Sequence, residues 1–416
     1  MKFAHFADTH LGRQKNQKLR QVEKTVFQNM IKQILDNDVD FVLIGGDFFD
    51  INIPDMEIQK IAFEQFKKIK DRNIPIYVIY GSHDFSPNAT SAIDLLDSGG
   101  FFTKIPTEVE NEDGKIKLKF FSDPKTGVKI TGLSGLKAGK DITWYEQLDR
   151  DSLESEEGFK IFMFHGGINE MIKEKMPKAD FMPLSYLPKN FDYYAGGHMH
   201  KFAEESYANY NHVVYPGTLF SGYHSDLTDN ANGQKRGFVL VEFGEKIKNV
   251  NFIEIPNIDY NLIDINAKNK KSESVNTELR AKIKEIEIKN KLIIINVKGE
   301  LSEGKTTDID FSGIKDELVN KEAISVLINR NQLSSREYNI VSAKGGNKDE
   351  IEANVFYENI GQMALHEKKL LEKEGVLIAK ELLKKLGHAK LDNEKEREYE
   401  NRIDVEAFEI LEIDME

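Results

Sequence analysis

What most constrains this chain is a repeated pairing. Short apolar runs of strand length end, one after another, in turns that carry histidine or aspartate. Phe3 to Ala7 leads into Asp8-Thr9-His10, and Phe41 to Ile44 into Gly45-Gly46-Asp47. Ile76 to Tyr80 leads into Gly81-Ser82-His83-Asp84. Ile161 to Phe164 leads into His165-Gly166, and a run ending at Gly197 into His198-Met199-His200. Between the first three runs lie two segments of helical period. One covers about Leu19 to Leu35, with Val22, Val26, Met30, Ile31 and Ile34 on one face. The other covers about Asp55 to Lys70, with Ile58, Ile61, Ala62, Phe66 and Ile69 on one face. This β-α-β-α-β order predicts parallel strands joined by right-handed crossovers. In open α/β sheets, sites form in the crevice outside the C-terminal ends of the strands. Turns far apart in sequence can therefore converge on one edge.

The rest of the chain continues the pattern and then changes it. Strands are expected at Lys117–Phe121, Val128–Gly132, Ile161–Phe164, Asp192–Ala195, Val213–Tyr215 and Phe238–Phe243. They close a first domain spanning 1–245. A polar stretch, Asn266–Glu273, opens a different rhythm. A helix near Thr277–Lys289 and strands at Leu292–Val297 and Ile324–Ile328 predict a small α/β domain over 250–340. After a polar break, Ser342–Lys348, the segment 349–416 is helical in composition. There Leu365, Leu370, Leu371, Val376, Leu377, Leu382 and Leu383 stand among Lys and Glu. Three domains suit 416 residues.

The chain has no cysteine, which excludes disulfides and thiolate metal sites. Any metal must be held by imidazole, carboxylate, amide, hydroxyl or water. No window has the apolar length of a membrane span. The opening residues lack the uninterrupted apolar core of a signal peptide. Both readings predict a cytoplasmic protein with no membrane partner. A net charge of −13 argues against a general nucleic-acid coat. From residue 341 onward, 12 basic residues face 19 acidic ones, so over half of that excess lies in the tail. Arg13, Lys15, Lys18 and Arg20 form an acid-free run between Leu11 and Val22. It suits either a phosphate contact or a solvated loop and helix start.

Singly, each histidine or aspartate turn is weak evidence. The set is what decides: five of the ten histidines fall in these turns. His5 lies within the first strand and reads as structural, and His212, His224, His366 and His388 lack such surroundings. Imidazole and carboxylate without thiolate suit Mn²⁺, Fe²⁺ or Zn²⁺. Two such ions, about 4 Å apart and sharing a carboxylate, can clamp a phosphate and acidify an attacking water. A histidine that binds no metal can protonate the leaving oxygen.

The ordered series Asp8-x-His10, Gly46-Asp47, Gly81-Ser82-His83-Asp84, His165-Gly166, Gly197-His198-x-His200 resembles the calcineurin-like metallophosphoesterase superfamily. The opening HFADTHLG, with a core, a small second domain and a helical tail, resembles the double-strand-break repair nucleases of the Mre-eleven/SbcD type. The resemblance covers most of the chain and is strong to about residue 245. It implies an α/β fold, a metallophosphoesterase-type layered α/β/β/α sandwich. A small α/β capping domain that contacts DNA and a helical segment that docks an SMC-like ATPase of the Rad-fifty/SbcC type would follow. It also implies a homodimer and a metal-dependent exo/endonuclease that hydrolyses phosphodiester bonds at DNA ends. Two divalent ions are implied, usually Mn²⁺.

Carried over position by position, the resemblance assigns Asp8, His10, Asp47 and His200 to one ion. The second takes Asp47, Ser82, His165 and His198. His83 becomes the histidine that assists the leaving group, oriented by Asp84. One position departs from the family pattern, since Gly-Asn-His reads Gly81-Ser82-His83 here. An amide oxygen is a good hard ligand, and a serine hydroxyl is shorter, so weaker binding of the second ion is expected. Two other readings remain at this stage. One is a phosphodiesterase or phosphatase for small or protein substrates, against which the long C-terminal extension counts. The other is a weakly active scaffold subunit, for which Ser82 is the sole support.

Overall fold

A computed structural model describes residues 1–85, 90–105, 109–112, 114–135, 141–172, 181–336, 348–360, 370, 372–388, 391 and 396–411. The chain divides into two compact units, Met1–Tyr260 and Asn261–Glu416.

The first unit begins with β1 (Lys2–Phe6), α1 (Gln17–Asp36), β2 (Phe41–Ile44), α2 (Met56–Lys70), β3 (Ile76–Val78), α3 (Ala92–Ser98) and β4 (Thr103–Lys104). It continues with β5 (Val109–Glu112), β6 (Lys115–Leu118), β7 (Phe121–Ser122), β8 (Lys129–Leu133), α4 (Asp141–Glu146), α5 (Arg150–Glu154) and β9 (Lys160–His165). It ends with α6 (Asn169–Ile172), β10 (Tyr193–Gly197), β11 (Ala203–Tyr207), β12 (Tyr210–Tyr215), α7 (His224–Ala231), β13 (Gly237–Phe243) and β14 (Ile247–Glu254).

Two six-stranded sheets result, ordered β14-β13-β1-β2-β3-β4 and β11-β12-β10-β9-β8-β7. The parallel pairs β1–β2, β2–β3, β8–β9 and β9–β10 form their centres. Strand side chains alternate between faces, and the sequence exploits this. In β1 and β2, Phe3, Phe41 and Leu43 meet Ile161, Met163, Tyr193 and Ala195 of β9 and β10 between the sheets. The alternate residues Ala4, Phe6, Val42 and Ile44 face outward, onto α1 and α2. Phe162, Phe164 and Tyr194 face outward on the other side. The outcome is an α/β/β/α sandwich. Each fully buried side chain of this kind contributes about 2 kcal/mol from removal of apolar surface. Asn16 caps α1 by accepting the Lys18 and Leu19 N–H groups, and Asp55 caps α2 by accepting that of Ile58. Both helices that follow the site's first two turns thus start at a capped residue.

The structure departs from the sequence reading in places. The unit continues past residue 245 because β14 pairs antiparallel with β13 through Glu254. The single strand expected over Lys117–Phe121 is two. Lys115–Leu118 pairs with β5, whereas Phe121–Ser122 pairs with β8, so the two pieces join different partners.

In the second unit, β15 (Asp259–Asn266), α8 (Ser272–Glu285), β16 (Lys291–Leu301), α9 (Phe311–Asn320) and β17 (Ser325–Ser335) form a small α/β domain with the sheet order β15-β16-β17. Helix α8 stops at Glu285, short of Lys289. From Ile286 the backbone is extended and Ile286 and Ile288 alternate into the core. Three helices follow: α10 (Lys348–Ile360), α11 (Glu372–Leu386) and α12 (Glu396–Leu411). Residues 342–347 of the polar break, together with Leu365 and Leu371, lie outside the described residues. Among the described residues, no helix is long and apolar enough to cross a membrane.

Candidate metal centre

Every turn singled out in the sequence follows the C-terminal end of a central strand, and the two sheets bring these ends together. Backbone hydrogen bonds lock the turns to one another. The Asp8 N–H donates to Gly46 O at 3.0 Å and the His10 N–H to Asp47 O at 3.1 Å. The His198 N–H donates to the Asp8 carboxylate at 2.9 and 3.0 Å. Asp8, His10, Asp47 and His198 all adopt positive φ, at 51°, 43°, 47° and 90°. Non-glycine residues in that region are strained, and such strain gathers at functional sites. Gly81 is required for a plain steric reason: a Cβ there would lie 2.1 Å from Asp47 Oδ1.

Among the described residues, three groups of donor atoms come close enough to share an ion: Asp8 with His10 and His200, Asp8 with Asp47 and His165, and His10 with Asp50 and His83. His10 Nε2 and His200 Nε2 lie 3.2 Å apart. Asp47 Oδ2 lies 3.3 Å from His165 Nε2, 3.9 Å from His10 Nε2 and 3.4 Å from the hydroxyl of Ser82. His198 stands beside His165, with ring centroids 5.4 Å apart.

Fixed partners settle which nitrogens face inward. A carbonyl or an ionised carboxylate only accepts, so its partner nitrogen carries the hydrogen. His165 Nδ1 donates to Gly45 O at 2.8 Å. His200 Nδ1 donates to Asp226 Oδ2 at 2.8 Å. His83 Nδ1 donates to the carbonyl of Asp50 at 2.7 Å. His165 Nε2 and His10 Nδ1 are buried with no hydrogen-bond partner. Buried polar atoms are normally paired, and oxygen and imidazole donors aimed at one another are the chemistry of a divalent cation site. The residues present fit such an ion.

Charge at the centre is strongly coupled. Burial disfavours the charged form of Asp47, but His165 and His10 outweigh it and hold its carboxyl far below the usual range. Burial also opposes a charged His165, yet Asp47 and Asp8 push it up to about 10. Burial and the His165 charge push His198 down to about 4. Burial raises Asp8.

Asp84 corrects one expectation. Its carboxylate does not orient His83. It accepts the backbone N–H groups of Phe48, Phe49 and Gly81, at 3.2, 3.1 and 3.0 Å. Those bonds hold the Asp47 and Gly81 turns against each other. The His83 ring is held by Asp50 instead. Asp50 and Asp226 were missed in the sequence, and so was Arg236, which is buried and donates to the carbonyl of His200. Asp50 sits three residues after Asp47 in the same turn, which was an available signal. Of the basic run, Arg13 reaches the centre, donating to Asp50 Oδ1 at 3.4 Å. Arg20 instead pairs with Asp55 on the surface. His5 stays outside the cluster, next to the Tyr193 hydroxyl at 3.0 Å, and burial pushes it down to about 3. His212 pairs with Glu204, and His366 lies outside the described residues.

Comparison with known proteins agrees with this geometry. The family model of the calcineurin-like phosphoesterases matches residues 1–202. The DNA double-strand break repair protein Mre11 of Methanocaldococcus jannaschii is 31% identical over 310 residues, covering 69% of this chain and 75% of that protein. This chain belongs to the Mre11 family. The Mre11 of Methanococcus maripaludis is 31% identical over 58% of this chain and 62% of its own length. That of Sulfolobus acidocaldarius is 28% identical over 64% and 66%. The chain thus spans less than two thirds of the last two relatives. The phosphoesterase match covers all the turns described above, from Asp8 to His200.

Proposed function

We propose that this chain is a metal-dependent DNA phosphodiesterase, a nuclease acting at DNA breaks in the cytoplasm, with Mn²⁺ as its ion. The observation that carries this reading is the position of Asp47 Oδ2, within 3.9 Å of donor atoms on His165, Ser82 and His10. An oxygen so placed can serve two ions at once. Asp8, His10, Asp47 and His200 would hold one, and Asp47, Ser82, His165 and His198 the other. When bound, the ions would neutralise phosphoryl charge and lower the pKa of water.

The remaining work belongs to the chain's own side chains. Gly45 and Asp226 hold His165 and His200 with Nε2 turned inward, so no rotamer search precedes binding. His83 keeps Nδ1 on the Asp50 carbonyl, which leaves Nε2 for the substrate. In its protonated form His83 passes a proton from Nε2 to the leaving 3′-oxygen. DNA as substrate is supported by the break-repair relatives and by Arg13 at the edge of the centre.

Partners follow the same reading. Leu383 and Leu386 are exposed on α11, and Val405 and Phe408 on α12; we propose that these helices dock on an SMC-like ATPase of the Rad50 type. Ile53, Met56, Phe63 and Leu95 are exposed on and beside α2 and α3, and we propose that these apolar side chains are covered in a homodimer. The small α/β domain is read as a DNA-contacting module.

The test is cleavage of single-stranded and hairpin DNA with added Mn²⁺ or with EDTA. Cleavage only with Mn²⁺ is expected. No cleavage of either DNA, with or without the ATPase, overturns the reading.

A further inference from the structure

The centre leaves one aromatic ring in solvent. Tyr223 immediately precedes α7, and the residue is 48% exposed. Its ring stacks on that of His200, with centroids 5.0 Å apart and planes inclined by 18°. It also lies 6.1 Å from the His10 ring. The guanidinium of Arg13, itself 42% exposed, lies over the Tyr223 ring, 5.8 Å from its centroid.

Neither ligand geometry nor core packing explains this ring. His200 is already oriented by Asp226 at 2.8 Å. The other aromatic at the centre, Phe181, meets His198 edge-on at 6.2 Å and packs against the core outside the second sheet. Tyr223 packs into no hydrophobic cluster of the described residues. A flat, exposed ring and a guanidinium beside a phosphate site form a surface for a second flat group carried by the same ligand.

We propose that Tyr223 and Arg13 form a nucleobase subsite. The base attached to the phosphate held at the metal centre packs against the exposed Tyr223 ring and the Arg13 guanidinium that lies over it. This rests on the DNA nuclease reading above and adds to it. Stacking on aromatic and guanidinium groups accepts any base, because every base has a π-face. A base can reach Tyr223 only after leaving the helical stack. The substrate class is therefore a nucleotide that is unpaired or frayed at the point of cleavage.

The experiment is a cycle between ring and base. Affinity for a short single-stranded DNA is measured at equilibrium with Ca²⁺ in place of Mn²⁺, and KM is measured with Mn²⁺. Both are repeated with the same DNA carrying an abasic residue at the cleaved nucleotide. Wild-type protein is compared with Tyr223→Phe and Tyr223→Ala. Loss of the base is expected to weaken binding about tenfold in the wild-type and Phe proteins, and to have no effect in the Ala protein. Equal base effects in the wild-type and Ala proteins, or no base effect in any of them, overturn the subsite. So does an Ala protein that loses affinity for both DNAs alike while wild-type shows no base effect, since the ring would then act through His200. A wild-type protein that cuts neither DNA overturns the nuclease reading itself, and intact DNA reveals this before any variant is compared.

Discussion

Asp226 accepts a hydrogen bond from Nδ1 of His200 at 2.8 Å, and this bond decides which imidazole nitrogen faces the metal centre. The same carboxylate accepts the N–H groups of Gly222 and Tyr223 at 2.9 and 2.7 Å. Asp226 is thus a fixed point between the α7 turn and a candidate ligand. Carboxylates that orient ligating histidines are worth tenfold to a hundredfold in metal affinity. Asp226→Ala is expected to weaken Mn²⁺ binding by that factor in calorimetric titration. Asp226→Asn keeps an acceptor and should lose less. If both variants bind Mn²⁺ like the wild-type protein, Asp226 does not position His200.

His83 makes a different prediction because its ring is held from outside the ligand set. Its Nδ1 bonds to the Asp50 carbonyl, and its ring meets that of His10 at 4.7 Å, nearly perpendicular. His83→Ala should keep metal affinity and lower kcat on DNA by a factor of about 10² to 10⁴, the usual worth of a positioned acid. A variant that loses Mn²⁺ as well would make His83 a ligand rather than a proton donor.

The contrast between these residues explains what the sequence made legible. Asp8, Asp47, His165 and His200 each follow an apolar run of strand length, and the strand ends that carry them were readable from those runs. The supporting residues carry no such mark. Asp226 looks like an ordinary acid in the first turn of a helix, and only folding brings it to His200. Tyr223 reads as a loop aromatic until its ring is seen on His200. The resemblance carried Asp84 over as the group that orients His83, whereas the turn points its carboxylate at three amides. Strand β14 was missed for a related reason. It is an edge strand with a polar face, so its pairing with β13 shows in register and not in composition.

Ser82 tests the second ion. Its hydroxyl donates to Asp47 Oδ2 at 3.4 Å, a long contact for a group of this kind. An asparagine extends an oxygen further and supplies a hard carbonyl ligand. Ser82→Asn is expected to raise the affinity of the weaker Mn²⁺ site about tenfold, equivalent to about 1.4 kcal/mol. Two-site calorimetry would read this directly, and nuclease activity at limiting Mn²⁺ should rise with it. Unchanged binding would establish that the hydroxyl already suffices.

Glu23 lies away from the ligands and predicts a pH dependence of stability. It is 2% exposed on α1, and its Oε2 accepts the Gly12 N–H at 3.0 Å. Burial pushes its carboxyl up to about 7, against the opposing pull of the Gly12 and Gln14 amides. In the unfolded chain the group titrates near the ordinary 4.5. Between these values the folded protein holds a proton that the unfolded chain has lost, so stability falls as pH rises through this window. The contribution is fully present below about 4.5 and gone above about 7. The full difference amounts to about 3 kcal/mol at most. Glu23→Gln keeps an acceptor for Gly12 without the buried charge. It should therefore flatten the fall in melting temperature between acidic and mildly alkaline buffer, and raise Tm on the alkaline side by several degrees. Equal slopes in the wild-type and variant proteins would mean that Glu23 does not carry the pH dependence.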